Sequence, residues 1–359
     1  MRTKAPKANN TADIAAQIST PRKKERSRRN APPHLLLPSG STLMNLMCSD
    51  TLDGAYAVGS TTNIIGDSSS GKTFSALTSL AEAAYDKRFA AYKLIYGCVE
   101  PSMDFDLEFL FGRRFVRRLR IEHPRMIIDW QSRMRKLIEG SDPFIYVLDS
   151  LDALDTIADK QKADDELDAY EKGKEVAGTY AMAKAKKMSE TLRRVCGPLE
   201  DTESMLIIIS QVRDNIGFGF EKQRRSGGRA LKFYSAHELW MSCGKPIKVR
   251  NQAVGINARV KCKKNKTTGK HRTVDVSFLY DYGLDDIGSC VDFLVGEKGF
   301  KKASNSSTIA YEPWKVKCSR AKLVQWVEDE DMERPLRELV RDTWQDREVA
   351  LRTNRKQRF

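Results

Sequence analysis

The amino-acid sequence predicts an α/β protein built on a mainly parallel sheet, and three observations carry that reading. Short apolar runs at Thr61–Ile65, Leu94–Tyr96, Phe144–Leu148 and Met205–Ile209 are separated by helical stretches, the pattern of βαβ units. The first run leads into a glycine loop, Gly66-Asp67-Ser68-Ser69-Ser70-Gly71-Lys72-Thr73, and then into a helical pattern with Phe74, Leu77, Leu80 and Ala84 on one face. The other three runs end in or just before polar groups, Glu100, Asp149 and Ser210-Gln211. Parallel sheets place their ligand chemistry at such carboxyl ends.

Composition narrows the class. The chain has 359 residues, 40% hydrophobic and 31% charged, which fits a folded domain with appendages rather than a disordered chain. A net charge of +14 points to a polyanionic partner or to a generally basic surface, and composition leaves both open. No apolar run approaches the ~20 residues that a membrane span needs, and the polar start lacks a signal-peptide core, so an intracellular protein with no membrane partner is expected. The seven cysteines form no CxxC pair and His34, His123, His237 and His271 no cluster, so neither zinc nor a disulfide framework is indicated.

Three segments follow from the pattern. Residues 1–34 are a basic arm, with nine Lys/Arg against two acids over 1–33, and a possible oligomerisation segment. Residues 35–298 hold the core, and 299–359 a small α-rich unit with helical periodicity through Leu323, Trp326 and Val327, then Leu336, Leu339 and Val340, closing in a basic tail. Within the core, the charged stretch from Asp155 to about Lys187 and the segment 217–228 are candidate functional loops, the latter too rich in glycine and charge for a regular element. Residues 259–276 alternate like strands but are dense in lysine. Arg113, Arg114, Arg117, Arg118 and Arg120 recur at helical spacing, as a solvated face or a nucleic-acid contact.

Residues Gly66 to Thr73 match the phosphate-binding P-loop, and the flanking strand and helix supply its required context. Backbone N–H groups and the helix amino terminus would surround nucleotide phosphates, Lys72 would neutralise the outer ones, and the Thr73 hydroxyl would ligate Mg²⁺. Asp149 reads as the Mg²⁺ carboxylate or as a cap on the next element. Glu100 is placed to orient or deprotonate an attacking water.

The ordered set of Gly66 to Thr73, Glu100, Leu148-Asp149-Ser150, Ile209 to Arg213, Gly227 to Tyr234 and Arg259 to Lys266 resembles the bacterial RecA recombinases and their phage relatives of the UvsX type. The resemblance covers about residues 40–300. It implies a RecA-like P-loop ATPase core with Glu100 as water-activating residue, Asp104 and Tyr280 near the nucleotide base, and Gln211 as γ-phosphate sensor. It also implies that Lys264 and Lys266 serve a neighbouring subunit's ATP and that Phe233 is an interface aromatic. The second DNA loop would run from Asp214 to Ser226. In and around it Ile216, Phe218 and Phe220 offer surface for unstacked bases, and Arg213, Lys222, Arg224, Arg225 and Arg229, with Gly227 and Gly228, meet DNA.

The implied activity is DNA-dependent, Mg²⁺-dependent ATP hydrolysis coupled to filaments on single-stranded DNA, homologous pairing with duplex DNA and strand exchange, in recombination and repair. Single-strand-binding and mediator proteins are further possible partners, and the implied place is the cytoplasm and nucleoid of a bacterium or phage-infected cell. Two rivals stay open: a mediator paralogue that binds DNA without exchange, and a hexameric helicase of the same fold. The acid-rich first loop (Asp164, Asp165, Glu166, Asp168) departs from the family. So does the tail, with Arg352, Arg355, Lys356 and Arg358 in place of the usual acidic end, from which weaker self-inhibition is expected.

Overall fold

A two-stranded pair, β1 (Leu36–Leu37) with β2 (Tyr56–Ala57), brackets helix α1 (Thr42–Ser49). That helix starts where the Ser41 hydroxyl accepts from the Met44 amide, satisfying one of the free N–H groups of the first turn. The computed structural model describes residues 35–100, 105–157, 159–161, 165, 181–214, 223–225, 228–302, 307–353 and 355. The chain divides into two compact units, one spanning residues 34–290 and the other including 291–359.

In the larger unit β3 (Thr61–Gly66) leads through the glycine loop into α2 (Lys72–Tyr85), whose Leu77, Leu80 and Ala84 are buried. Then follow β4 (Lys93–Cys98), α3 (Leu107–Arg118), β5 (Leu119–Glu122), α4 (Ile127–Glu139) and β6 (Phe144–Asp149). The predicted helix near Met182 is α5 (Ala181–Asp201), and β7 (Met205–Asp214) comes next. After it come β8 (Gln223–Arg225), α6 (Gly228–Tyr234), β9 (His237–Val249), β10 (Gln252–Asn265), β11 (Thr273–Leu279) and β12 (Gly283–Asp285). The main sheet runs β12-β11-β10-β9-β3-β7-β6-β4-β5, with β8 on β7. From β9 through β3 to β5 all neighbours are parallel, as expected from the alternating strands and helices. The lysine-dense segment is part of an antiparallel wing, β9 to β12.

The core of this unit follows the two periods in the sequence. Trp130, Met134 and Leu137 of α4 and Met188, Leu192, Val195 and Leu199 of α5 pack on Phe144, Tyr146 and Leu148 of β6 and on Leu206 and Ile208 of β7. Helix positions three or four apart meet alternate strand positions, and each such burial stabilises by about 1.5–3 kcal/mol.

Two expectations need correction. Residues 223–225 are a regular element after all, because β8 pairs antiparallel with Val212–Asp214 and ties the end of the loop back to β7. The arginine run is one helical face only in part: Arg113, Arg114 and Arg117 are exposed on a single helical segment, whereas Arg118 and Arg120 depart from it. α3 kinks at Gly112 (φ 80°) and ends at Arg118, and Arg120 already lies in β5. Arg113 pairs with Glu108 and Arg120 with Glu122, while the Arg118 guanidinium donates to the carbonyls of Ala83, Ala84, Phe89, Ala90 and Tyr92. The carboxyl end of α2 and the turn after it thus obtain partners for carbonyls that a helix terminus leaves free.

The unit that includes residues 291–359 holds most of α7 (Asp286–Gly296), α8 (Arg320–Asp329) and α9 (Glu333–Ala350). It also contains a three-stranded antiparallel sheet, β13 (Lys301–Lys302), β14 (Thr308–Tyr311) and β15 (Val316–Ser319), which helical periodicity did not reveal. Phe300, Tyr311, Trp314 and Trp326 meet in tilted and edge-to-face contacts at centroid spacings of 5.0–5.8 Å. Among the described residues no helix is long and apolar enough to cross a membrane.

Arg118→Ala should lower stability by about 2–3 kcal/mol, because several carbonyls lose a charged donor together, and thermal melting will show it. Burial pushes the His237 imidazolium down to about 4. Its unfolded value is about 6.5, so the unfolded chain binds the extra proton and stability falls as pH drops from about 6.5 towards 4. Urea midpoints across that window should flatten in His237→Gln relative to wild type.

Candidate nucleotide and nucleic-acid site

The glycine loop is shaped by what its glycines exclude. A Cβ on Gly66 would strike the Met241 carbonyl and come within 2.6 Å of the Ser70 hydroxyl. Gly71 sits at φ 89° with the Phe278 ring 2.8 Å from the position of a Cβ, so both conformation and space demand glycine. Inside the loop the Asp67 carbonyl accepts from the Ser70 hydroxyl at 2.8 Å and from the Lys72 ammonium at 2.5 Å. Burial lowers the Lys72 pKa, against the pull of Asp149, Asp67, Glu100 and Asp152.

Strand register brings the polar strand ends together. Gly66 lies opposite Gln211 and Cys98 opposite Asp149, so the loop, β4, β6 and β7 finish on one edge. Asp149, 7% exposed, accepts from the Thr73 hydroxyl at 2.6 Å and the Tyr96 hydroxyl at 2.8 Å. Burial raises its pKa, and those two donors, with Lys72, oppose the shift. Glu100 accepts from the Ser150 hydroxyl at 2.8 Å and from the Gln211 side-chain amide at 3.4 Å. The Gln211 backbone N–H donates to Asp152 at 2.8 Å.

Thr73 with Asp149, and Gln211 with Glu100, therefore form two hydrogen-bonded pairs joined through the Asp149-Ser150 backbone. The sequence reading missed Tyr96 and Asp152. A tyrosine inside an apolar run, two residues before the strand end, was the available signal for the first; nothing in the pattern marks the second. The adjacent Thr73 and Asp149 oxygens are a hard donor pair that suits Mg²⁺, which takes one or two protein oxygens and otherwise phosphate and water.

Beyond Gln211, β7 continues to Asp214 in the hairpin with β8, where Arg213 stands opposite Arg224. The backbones of Arg213, Arg224, Arg225, Gly228 and Arg229 are placed there and in α6. Asp104, Ile216, Phe218, Phe220, Lys222 and Gly227 lie outside the described residues, as do the arm 1–34 and most of the acidic first loop. Phe233, at the end of α6, is 72% exposed. Lys264 donates to the carbonyls of Lys232 and Phe233 of its own chain, and Lys266 is exposed. Tyr280 is 55% exposed just past β11, two residues beyond the Phe278 ring that packs on Gly71.

Gly66→Ala should destabilise the larger unit by about 1–3 kcal/mol, since the obstacle is a backbone carbonyl rather than a flexible side chain; a lowered melting temperature checks it.

The RecA N-terminal domain family matches residues 34–285. The RecA protein of Chlorobaculum parvum is 30% identical over 299 residues, which is 81% of this chain and 79% of its own length. That of Chlorobaculum tepidum is 30% identical over 298 residues (80% and 79%), and that of Thermus thermophilus 28% over 276 (75% and 74%). With the phosphate loop, the strand order and the carboxylate edge in place, the chain belongs to the RecA family.

Proposed function

We propose that this protein is an Mg²⁺-dependent ATPase that assembles as a filament on single-stranded DNA, pairs it with homologous duplex and exchanges strands. One observation carries the reading. A single strand, β7, holds Gln211 at 3.4 Å from Glu100 and, within three residues, enters the hairpin that frames the second DNA loop. Nucleotide state at Glu100 and DNA at the loop thereby bias the same rigid element, the physical requirement for coupling.

In this reading the backbone of residues 66–72 and the Lys72 ammonium hold the phosphates. The Thr73 hydroxyl and Asp149 hold Mg²⁺, which neutralises charge that builds on the transferring phosphoryl group. Glu100, fixed by Ser150, orients the attacking water and takes its proton. Lys264 and Lys266 of a neighbouring copy add positive charge at the γ-phosphate, which makes hydrolysis depend on assembly. Head-to-tail contacts whose rotation does not close yield a filament rather than a ring.

ATP hydrolysis measured with and without single-stranded DNA tests this. DNA should stimulate the wild type. Glu100→Gln should lower kcat by about 10²–10⁴-fold with nucleotide binding kept, Lys72→Ala should lose binding, and Gln211→Ala should keep basal turnover but lose the stimulation. No DNA effect on the wild type would overturn the reading. DNA-stimulated hydrolysis with no joint molecules from matched circular and linear DNA would point to a mediator instead.

A further inference from the structure

Two tyrosines are buried in adjacent strands of the main sheet and differ in what their hydroxyls meet. Tyr96 of β4 is 2% exposed and Tyr146 of β6 is 0% exposed. Strand register puts them on opposite faces. Tyr96 lies opposite Val147, so it shares a face with Cys98, Val147 and Asp149, whereas Tyr146 lies opposite Ile95 and packs with α4 and α5. The Tyr146 hydroxyl has no hydrogen-bond partner among the described residues. The Tyr96 hydroxyl donates to Oδ2 of Asp149 at 2.8 Å, a diagonal cross-strand contact that a long aromatic side chain can span.

Packing alone does not demand this bond, because the next strand accommodates a buried phenol with no partner. The arrangement around Asp149 gives it a purpose. Among the described residues two side chains donate to that carboxylate, Thr73 at 2.6 Å and Tyr96, and both meet Oδ2. Each carboxylate oxygen has room for about two donors. Oδ1 is therefore the oxygen open to a metal or to its water ligands, and the rotation of the carboxylate is set. The two donors are not equivalent. Thr73 would share its oxygen with Mg²⁺, while Tyr96 reaches the acid from within the sheet and serves it alone. A hydrogen bond to an ionised acid is stronger than a neutral one, and a buried setting strengthens it further. Burial, and after it the Asp149 charge, push the Tyr96 phenol well above its ordinary range, so it stays a donor.

We infer that Tyr96 is a positioning residue for the metal site: its hydroxyl fixes the Asp149 carboxylate in the orientation on which Mg²⁺ affinity depends. The inference rests on the proposed binding of nucleotide with Mg²⁺, and it adds a residue that lies outside the phosphate loop and the strand-end polar groups. Hydrogen-bond partners that orient a metal-binding side chain commonly contribute as much to metal affinity as a weak ligand does.

The test is Tyr96→Phe in the full-length protein, which removes one hydroxyl and keeps the ring. Tyr146→Phe is the matched control, since it removes an equally buried tyrosine hydroxyl that does not touch Asp149. Binding of N-methylanthraniloyl-ATP is followed by fluorescence against free Mg²⁺ and in excess EDTA, and Mn²⁺ binding is followed directly by electron paramagnetic resonance. Thermal melting confirms folding. In Tyr96→Phe the half-saturating Mg²⁺ concentration and the Mn²⁺ dissociation constant should rise by about 10–100-fold. Nucleotide affinity in EDTA should stay within about twofold, and kcat should recover towards wild type at saturating Mg²⁺, a split that a general packing defect does not produce. The control should match wild type in every readout. Unchanged metal dependence in Tyr96→Phe, an equal shift in Tyr146→Phe, or an equal loss of nucleotide affinity in EDTA would overturn the inference. A wild type whose nucleotide binding ignores Mg²⁺ would overturn the metal reading and this inference together. A Mg²⁺-dependent wild type that DNA fails to stimulate would overturn the proposed function alone, and the comparison of the two variants would still decide the role of Tyr96.

Discussion

The parallel register that sets Gly66 beside Gln211 and Cys98 beside Asp149 is the constraint on which the site depends. Sheet side chains alternate with period two, so a slip of one residue in β6 or β7 would turn Asp149 or Gln211 to the opposite face. The register is held in turn by the core on both sides of the sheet. Ile208 and Leu148 lie opposite each other, and Phe144–Leu148 and Met205–Ile209 are buried on both faces, so such a slip would break the close packing of side chains above and below the sheet. Packing energy thus fixes the position of carboxylates and amides that contribute little to stability themselves.

The site concentrates acids in an otherwise basic protein. Asp149 is nearly buried and lies within the influence of Glu100, and both circumstances raise the cost of charge on its carboxylate. Hydroxyls from Thr73 and Tyr96 offset that cost through directed hydrogen bonds. Positive charge is kept mostly elsewhere, in the arm, the β7–β8 region, the wing and the tail. Separate poles of charge allow one chain to address a nucleotide with its metal and a nucleic acid without the two sites neutralising each other.

Much of this was legible in the sequence, and the residues show why. The phosphate loop is a local motif whose glycines and lysine act through adjacent backbone, so spacing alone reveals it. Glu100, Asp149 and Gln211 could be read because each ends or closely follows an apolar run, and parallel strands end together. Tyr96 and Asp152 were not legible, since their roles come from cross-strand and loop neighbours far apart in sequence. The arginine run misled for the same reason. Helical spacing describes a face, but the helix ends at Arg118, Arg120 falls in β5, and the carbonyls that capture Arg118 belong to an earlier part of the chain.

What the sequence by itself determined was the α/β class, the phosphate loop, the three strand-end polar groups and the sign of the charge, because all follow from local periodicity and composition. The tertiary structure decided which of these meet. It joined Glu100 to Gln211 across 111 positions, closed β8 onto β7, and set the lysine-dense segment in an antiparallel wing. Long-range pairing chooses among many arrangements of the same local elements, and it is settled only when the apolar faces of distant segments are buried together.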